Sequence, residues 1–391
     1  MRYVGTAISI RQAFKEVKGF EWEGEYRAAA RAAIKELLEG RMEQYIDEHL
    51  EEMEVLGIAD RRNGRYERHI VTESGDVVVA VQRTRLTSAR EVLQGFGRRS
   101  AVVDRMILEC FVLGLSTRKV GRALAGALGE KVSAGTVSTI AKQLDGAVAA
   151  YHRRVLQNRY EFLLFDGVVL KNRTGAGSRK RVVLVALGIT PAGKKEVIDF
   201  KLADGESQGA WESFLNDLYR RGLTGEGVEL IVVDGGKGLL AGLEVVYGTI
   251  PVQRCWAHKT RNVLKHVRKA DQEEAKRDLH KISHASGLRE AQRMFRRFVL
   301  KWSAHYPKAV ECLQKDIEDL CNFFAIPDSS QWRHIRTTNA IERRFVEVRR
   351  RTRPMGVFSD RTSMERILYA VFTYENTKAG VCTPFLLTHK S

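Results

Sequence analysis

Glu161-Phe-Leu-Leu-Phe-Asp166-Gly-Val-Val-Leu-Lys171 is an apolar run broken by one carboxylate, after which it resumes. Runs of this length, rich in Val, Leu and Phe, predict a central strand covered on both faces. A buried strand has little use for an acid, so Asp166 is expected at an edge of the core. A second run, Val228-Glu-Leu-Ile-Val-Val-Asp234-Gly-Gly-Lys-Gly238, ends at another carboxylate and breaks into glycines. Adjacent strands of this kind aim two carboxylates at one point. Paired carboxylates on a rigid sheet are the oxygen ligands that Mg²⁺ prefers, and two such ions can clamp the attacking and leaving oxygens of a phosphodiester displacement. Taken singly, an Asp before Gly also reads as a strand-end or turn residue making local hydrogen bonds.

The chain has 391 residues, which at about 150 per domain gives two or three domains. Lys and Arg number 65 against 48 Asp and Glu, and the resulting charge of +17 points to a polyanionic partner, nucleic acid first. No apolar stretch approaches the length of a transmembrane helix, and the first twenty residues lack a signal-peptide core, so a cytoplasmic protein without membrane contact is expected. The five cysteines, Cys110, Cys255, Cys312, Cys321 and Cys382, are too few and too scattered for a disulfide framework.

Ahead of the sheet, Ile34, Leu38, Met42, Tyr45, Ile46, His49 and Met53 recur at helical spacing, and Gly40 is expected to divide this stretch into two helices. Their stripe needs cover, from the rest of the chain or from a second copy; a homodimer is the expected assembly. Arg61-Arg-Asn-Gly64 reads as a turn, and His69 to Val81 as a hairpin around Glu73-Ser-Gly-Asp76, flanked by arginines suited to phosphate contact. Between Ala101 and Val148 three short helices are expected, with Ser116 and Ser133 as caps and Gly129 as a stop. The last would carry Thr136, Ser138, Thr139 and Lys142 outward, as a helix-turn-helix presents to the major groove; a plain three-helix packing unit is the alternative.

After Asp166 two further β-rich runs complete a three-strand meander. A helix from Ala210 to Arg221 follows, with Trp211, Phe214, Leu215 and Leu218 on one face, and then the strand ending at Asp234. This order opens an RNase H-like sheet and several other α/β folds alike. Trp211 reads as a core plug or as a ring that stacks on a displaced base. Pro251 to His258 reads as a fifth strand carrying Cys255-x-x-His258, a pair that needs partners such as His280 and His284 to hold zinc. Lys265 to Ile326 is helical and basic, the pattern of an inserted domain. In Thr337-Thr-Asn339-Ala-Ile-Glu342-Arg, Asn339 and Glu342 have the spacing of a capping box. The arginines that follow, Arg343, Arg344, Arg349, Arg350, Arg351 and Arg353, form a positive surface suited to DNA phosphates.

Asp166-Gly-x-x-x-Lys171, Glu206-Ser-x-x-x-Trp211-x-x-Phe214-Leu215, Asp234-Gly-Gly-Lys237-Gly-Leu, Cys255-x-x-His258-Lys-x-x-Arg261-Asn262 and Thr338-Asn-x-Ile-Glu342-Arg together resemble the mutator-type DDE transposases of bacterial insertion sequences. The match runs from about Arg61 to the C-terminus. The resemblance implies an RNase H-like α/β catalytic core with Asp166, Asp234 and Glu342 as the catalytic, metal-binding triad, an all-α insertion before the Glu, and Cys255, His258 and Trp211 as family motif residues near the active site. The loop Asn172 to Lys180 is longer and more basic than the family pattern.

The expected organisation is a helical region over 1–60, a basic hairpin over 61–95, a helix-turn-helix-like DNA-binding domain over 96–155, the catalytic core over 156–264 and 332–391, and the insertion over 265–331. Its expected function is that of an insertion-sequence transposase in a bacterial, nucleoid-associated setting. Two Mg²⁺ ions are the expected cofactors, with Mn²⁺ able to substitute. The expected partners are terminal inverted repeats and target DNA, contacted by the arginines above with Lys237, Arg261, Thr136, Ser138 and Lys142. A nuclease that cuts without joining and a non-catalytic DNA-binding regulator are the alternatives.

Overall fold

Helix α1 (Phe20–Val55) passes through Gly40 without a break. Gly40 has open space around it, while Leu38, Met42 and Ile46 bury against a hairpin, so tertiary packing outweighs the modest helical penalty of one glycine. The expected division into two helices is therefore corrected, and this chain's own hairpin covers the stripe. That hairpin pairs β1 (Arg62–Thr72) with β2 (Gly75–Thr84), both longer than the sequence suggested. Arg61 to Gly64, expected as a turn, instead leads into β1 through a register shift between Arg62 and Arg65, with Gly64 at φ +83°.

The computed structural model describes residues 20–94, 98–113, 115–128, 132–174, 177–355 and 361–381, less the side chains of 20–23, 126–127, 171–179 and 353–355. Gly129, Cys382 and the side chains of Lys171 and Arg353 lie outside the described residues. The chain divides into two units, Met1–Lys142 and Gln143–Ser391.

The first unit ends in three helices, α2 (Ala101–Val112), α3 (Thr117–Leu128) and α4 (Ala134–Ala141). Ser133 Oγ accepts from Thr136 N at 3.0 Å and Ser116 Oγ from Lys119 N at 3.4 Å. Val103, Ile107, Val120, Leu124, Val137 and Ile140 are buried, whereas Ser138, Thr139 and Lys142 are exposed and Thr136 half-buried.

The second unit begins with α5 (Leu144–Arg153), whose Asp145 pairs with Arg366 at 2.6 Å, so this helix groups with the sheet that follows. A five-stranded mixed sheet is built from β3 (Phe162–Thr174), β4 (Gly177–Ile189), β5 (Lys195–Ala203), β6 (Leu230–Val233) and β7 (Val252–Arg254). Its order is β5-β4-β3-β6-β7; the first three strands are antiparallel, and β6 and β7 run parallel to β3. The residues expected as a long basic loop after Lys171 extend β3 and β4 into a hairpin.

Side-chain alternation decides what each face meets. Leu163, Phe165, Leu184, Ile198, Ile231 and Val233 pack against α6 (Gln208–Arg220) and α7 (Lys237–Tyr247), joining Trp211, Phe214, Leu218, Leu239 and Leu243. Asp166 and Asp234 belong to the opposite set of positions. Helix α8 (Trp256–Leu264) opens a helical excursion through α9 (Gln272–Ser283), α10 (Leu288–Trp302), α11 (Pro307–Gln314) and α12 (Ile317–Cys321). Its return is fastened to β7, where Gln253 Nε2 donates to the Leu320 carbonyl at 2.9 Å and Phe323 N donates to Gln253 Oε1 at 2.8 Å. After a short turn, α13 (Trp332–Ile335), come α14 (Asn339–Met355) and α15 (Arg361–Lys378). Their buried Ile341, Phe345, Val348, Ile367 and Phe372 form a second core, in which the Phe345 and Phe372 rings meet edge to face at 5.5 Å.

Candidate active site

Register brings the first two carboxylates together. Phe165 of β3 is the parallel partner of Val233 of β6, so Asp166 and Asp234 occupy the next step of neighbouring strands, which lie about 4.8 Å apart. Asp234 leaves the sheet through Gly235, at φ +93°, and Gly236, whose N–H donates back to Asp234 Oδ1 at 2.9 Å. A side chain at Gly235 would collide with the Arg254 guanidinium, so the glycines shape this strand end.

Asp166 is only 3% exposed. Burial, then the charge of Asp234, and further the charges of Glu342 and Glu206, push its carboxyl up to about 7, while donation from the Thr338 side chain opposes the rise. Glu342 stands one turn into α14. Its Oε1 accepts from Arg261 of α8 at 2.8 Å and lies 3.9 Å from His258 Nε2. Burial and the Arg261 charge lower the His258 imidazole, and its buried Nδ1 has no hydrogen-bond partner. The capping box expected between Asn339 and Glu342 is not formed. The Thr338 carbonyl receives the N–H groups of Ile341 (2.9 Å) and Glu342 (3.4 Å), and the Glu342 carboxylate turns to Arg261 because a cation outcompetes a backbone donor.

A fourth carboxylate, Glu206, enters from the loop before α6. It packs so tightly on Gly167 that a Cβ there would lie 2.6 Å from its Cδ and Oε1, and its Oε2 and both Asp234 oxygens lie within 3.8 Å of the Cβ position of Gly236. Burial and the Asp234 charge raise its carboxyl as well. The sequence signal was available in the Glu206-Ser motif, but the reach over Gly167 depends on the fold.

Cys255, read from sequence as part of a strand, is the N-cap of α8, and His258 sits within that helix. Neither gathers zinc ligands: His280 and His284 stack on each other at 3.5 Å, and among the described residues no three His, Cys, Asp or Glu side chains are placed to hold a metal. That statement includes the acidic cluster of Asp166, Asp234, Glu206 and Glu342. Trp211 is 1% exposed and packs against Phe165 and Phe214, which leaves it no surface for stacking on a base. Of the arginines after Glu342, Arg344 pairs with Glu375 at 2.6 Å and Arg351, 8% exposed, pairs with Glu347 at 2.6 Å. Arg343, Arg349, Arg350, Arg261 and Lys237 are exposed.

In kind, though not in its present spacing, the donor set suits a hard divalent cation: all members are carboxylate oxygens, two of them on a rigid sheet, and among the described residues only Glu342 of the four pairs with a cation.

Comparison with known proteins gives the same direction. A family model described as "Transposase, Mutator family" matches residues 6–379. The transposase for insertion sequence element IS905 of Lactococcus lactis subsp. lactis (strain IL1403) is 29% identical over 354 residues, 90% of this chain and 89% of the relative. The transposase for ISRM5 of Rhizobium meliloti (strain 1021) is 31% identical over 90% of this chain and 88% of its own length. That of IS256 in transposon Tn4001 of Staphylococcus aureus is 31% identical over 80% of each chain. With its acidic strand ends, its basic surface and a match over nearly its whole length, this chain belongs to the Mutator family of transposases.

Proposed function

We propose that the second unit is an RNase H-like catalytic core that cuts and joins DNA by a DDE mechanism, with Asp166, Asp234 and Glu342 as its three carboxylates. The observation that carries this is the register pair Asp166 and Asp234, two acids on adjacent parallel strands with Glu342 close enough to raise the Asp166 carboxyl. Two Mg²⁺ ions bound there supply Lewis acidity to the attacking and leaving oxygens of an in-line phosphodiester displacement. Asp166 and Asp234 provide fixed negative charge from the sheet. Glu342 provides charge from a helix and must leave Arg261 to do so. Arg261 then becomes available to a DNA phosphate beside the site, together with Arg343, Arg349, Arg350 and Lys237. His258, kept neutral by burial and by Arg261, adds no further charge to the pocket.

The first unit is assigned to binding element ends. On this reading α2–α4 act as a helix-turn-helix with the exposed Ser138, Thr139 and Lys142 toward the duplex, supported by a hairpin that carries Arg65, Arg68 and Arg83. A homodimer acting on terminal inverted repeats and target DNA completes the reading.

Asp234→Asn tests it. The change keeps shape and removes a charged ligand, so cleavage of element-end DNA is expected to vanish while duplex binding stays within about threefold of the parent, a difference under 1 kcal/mol. Cleavage retained at saturating Mg²⁺ would remove Asp234 from the site.

A further inference from the structure

Away from the carboxylates, cations gather at the start of β5 with little acid to balance them. Lys195 Nζ lies 3.0 Å from His334 Nδ1, and the Arg333 Nε–H donates to His334 Nε2 at 3.1 Å. Arg344 joins the group by donating through Nη2 to the Lys195 carbonyl at 3.3 Å. Among the described residues Arg344 is the one member that pairs with a carboxylate, Glu375 at 2.6 Å. Glu196, next to Lys195 in β5, pairs with Arg159 at 2.5 Å instead. The hydrogens of the cluster do not balance. A neutral imidazole offers one acceptor nitrogen and one N–H, and Arg333 takes the acceptor. The remaining Nδ1–H faces the Lys195 ammonium, which has three donors and no lone pair. Lys195 and His334 are half-buried and Arg333 is exposed, so donors converge at a place that solvent and a ligand can reach. Crowding of this kind works against the free fold and is relieved by an anion, whose oxygens accept charge-assisted hydrogen bonds.

We propose that Lys195, Arg333 and His334 form a phosphate-binding site for the backbone of the DNA on which the second unit acts. The inference rests on that DNA-acting reading and does not need the carboxylates to be metal ligands. Register puts the site within reach of the same duplex. Asp166 pairs with Val185 and Lys195 with Ile189, four residues apart on β4, so the two side chains stand on one face of the sheet. Lys195 is then about 13 Å along the strands from Asp166 and, with β4 between β3 and β5, about 10 Å across them, or about 16 Å away. With a rise of about 3.4 Å per base pair, a duplex cut at the carboxylates meets this cluster about five base pairs from the cut. A phosphate contact there fixes how the duplex lies without reading its sequence.

The test uses the full-length protein, a duplex carrying a candidate element end and a random duplex of equal length, with affinity measured over a range of KCl. Arg333→Gln and Lys195→Gln are each expected to weaken binding to both duplexes about 3–10-fold and to lower the salt slope by about one. Without DNA, Lys195→Gln is expected to melt at or above the parent, because it removes one of the crowded charges. The Mg²⁺-induced rise in melting temperature, which reads the carboxylates, is expected to stay parental in both. A neutral methylphosphonate moved outward from the cut should weaken parental binding most at about the fifth nucleotide, and add nothing there in Arg333→Gln. Parental affinity and slope in Arg333→Gln, whose exposed side chain makes misfolding no explanation, overturn the proposal. Lys195→Gln melting lower than the parent while binding DNA equally well overturns it too. Inorganic phosphate titrated without DNA separates the sources of the anion: a saturable rise in melting temperature lost in Arg333→Gln, with DNA affinity parental, makes free phosphate the ligand and overturns the DNA assignment. Asp234→Asn separates this from the catalytic reading. If it still cleaves while Arg333→Gln has lost its unit of slope, the carboxylate reading falls and the phosphate site stands. If it is inactive while Arg333→Gln binds as the parent, only the phosphate site falls.

Discussion

Burial at Asp166 works against the charge that the proposed site requires. Its carboxyl is raised from 3.8 to about 7 by burial and by the charges of Asp234, Glu342 and Glu206, so without metal the folded protein favours the protonated form below about pH 7. The sign follows: its stabilising contribution is fully present below about pH 4 and is lost as pH rises through about 7. Asp166→Asn is neutral throughout, so the metal-free variant should gain stability over the parent across that window, by up to about 4 kcal/mol near pH 8. Comparing melting temperatures of the two from pH 4 to 8 checks this, and a difference that does not change with pH would contradict it. Other residues show what sequence could reveal. The placement of Asp166 and Asp234 on neighbouring strands was legible because each interrupts or ends an apolar run. The ion pairs of Arg344 and Arg351 with Glu375 and Glu347 were not legible, although each arginine stands three residues after a member of the buried stripe, Ile341 and Val348, a spacing that places it at the margin of the packed face. Glu206 was only half legible, since its approach to Gly167 is made by a loop whose path no local pattern dictates.

Elements were read more securely in kind than in their ends. The β3–β4–β5 meander, α6 with its Trp211 face and the helical excursion before α14 all follow from apolar periodicity, which packing reinforces. Three boundaries escaped for definite reasons. Gly40 does not break α1 because the residues flanking it bury against the hairpin. The β7 strand stops at Arg254 because Cys255 already caps α8. Helix α14 is started by the Thr338 carbonyl, leaving Asn339 as its first helical residue. In the three-helix segment the joint between α3 and α4 is closed by Gly121, where a Cβ would lie 1.9 Å from the Val132 carbonyl oxygen. Because that neighbour is backbone, Gly121→Ala cannot be relieved by a rotamer change. It should destabilise the first unit by about 1–3 kcal/mol and weaken duplex binding, while the metal-induced rise of the second unit persists. Unchanged urea unfolding and duplex binding would show that the close approach is not needed.

At the scale of the whole molecule, a chain with a charge of +17 places four carboxylates around the end of one sheet, and among the described residues only Glu342 of the four has a cationic partner. An excess of positive charge elsewhere, unable to neutralise that cluster, is what a protein needs if it holds a polyanion against bound cations. Composition made the polyanion legible, and motif order made the family legible. The strand order could not be derived from sequence alone, because a meander followed by a helix and a strand is compatible with several sheets. The most direct test of the account is a strand-transfer reaction: full-length protein, duplex carrying a candidate element end, supercoiled target DNA and Mg²⁺, with products sequenced across new junctions. The account predicts freed 3′-hydroxyl ends and end-to-target junctions that require Mg²⁺ and disappear in Asp234→Asn. Cut ends that never join would reduce the protein to a nuclease, and duplex binding unchanged in EDTA with no cutting under any condition would contradict the catalytic reading outright.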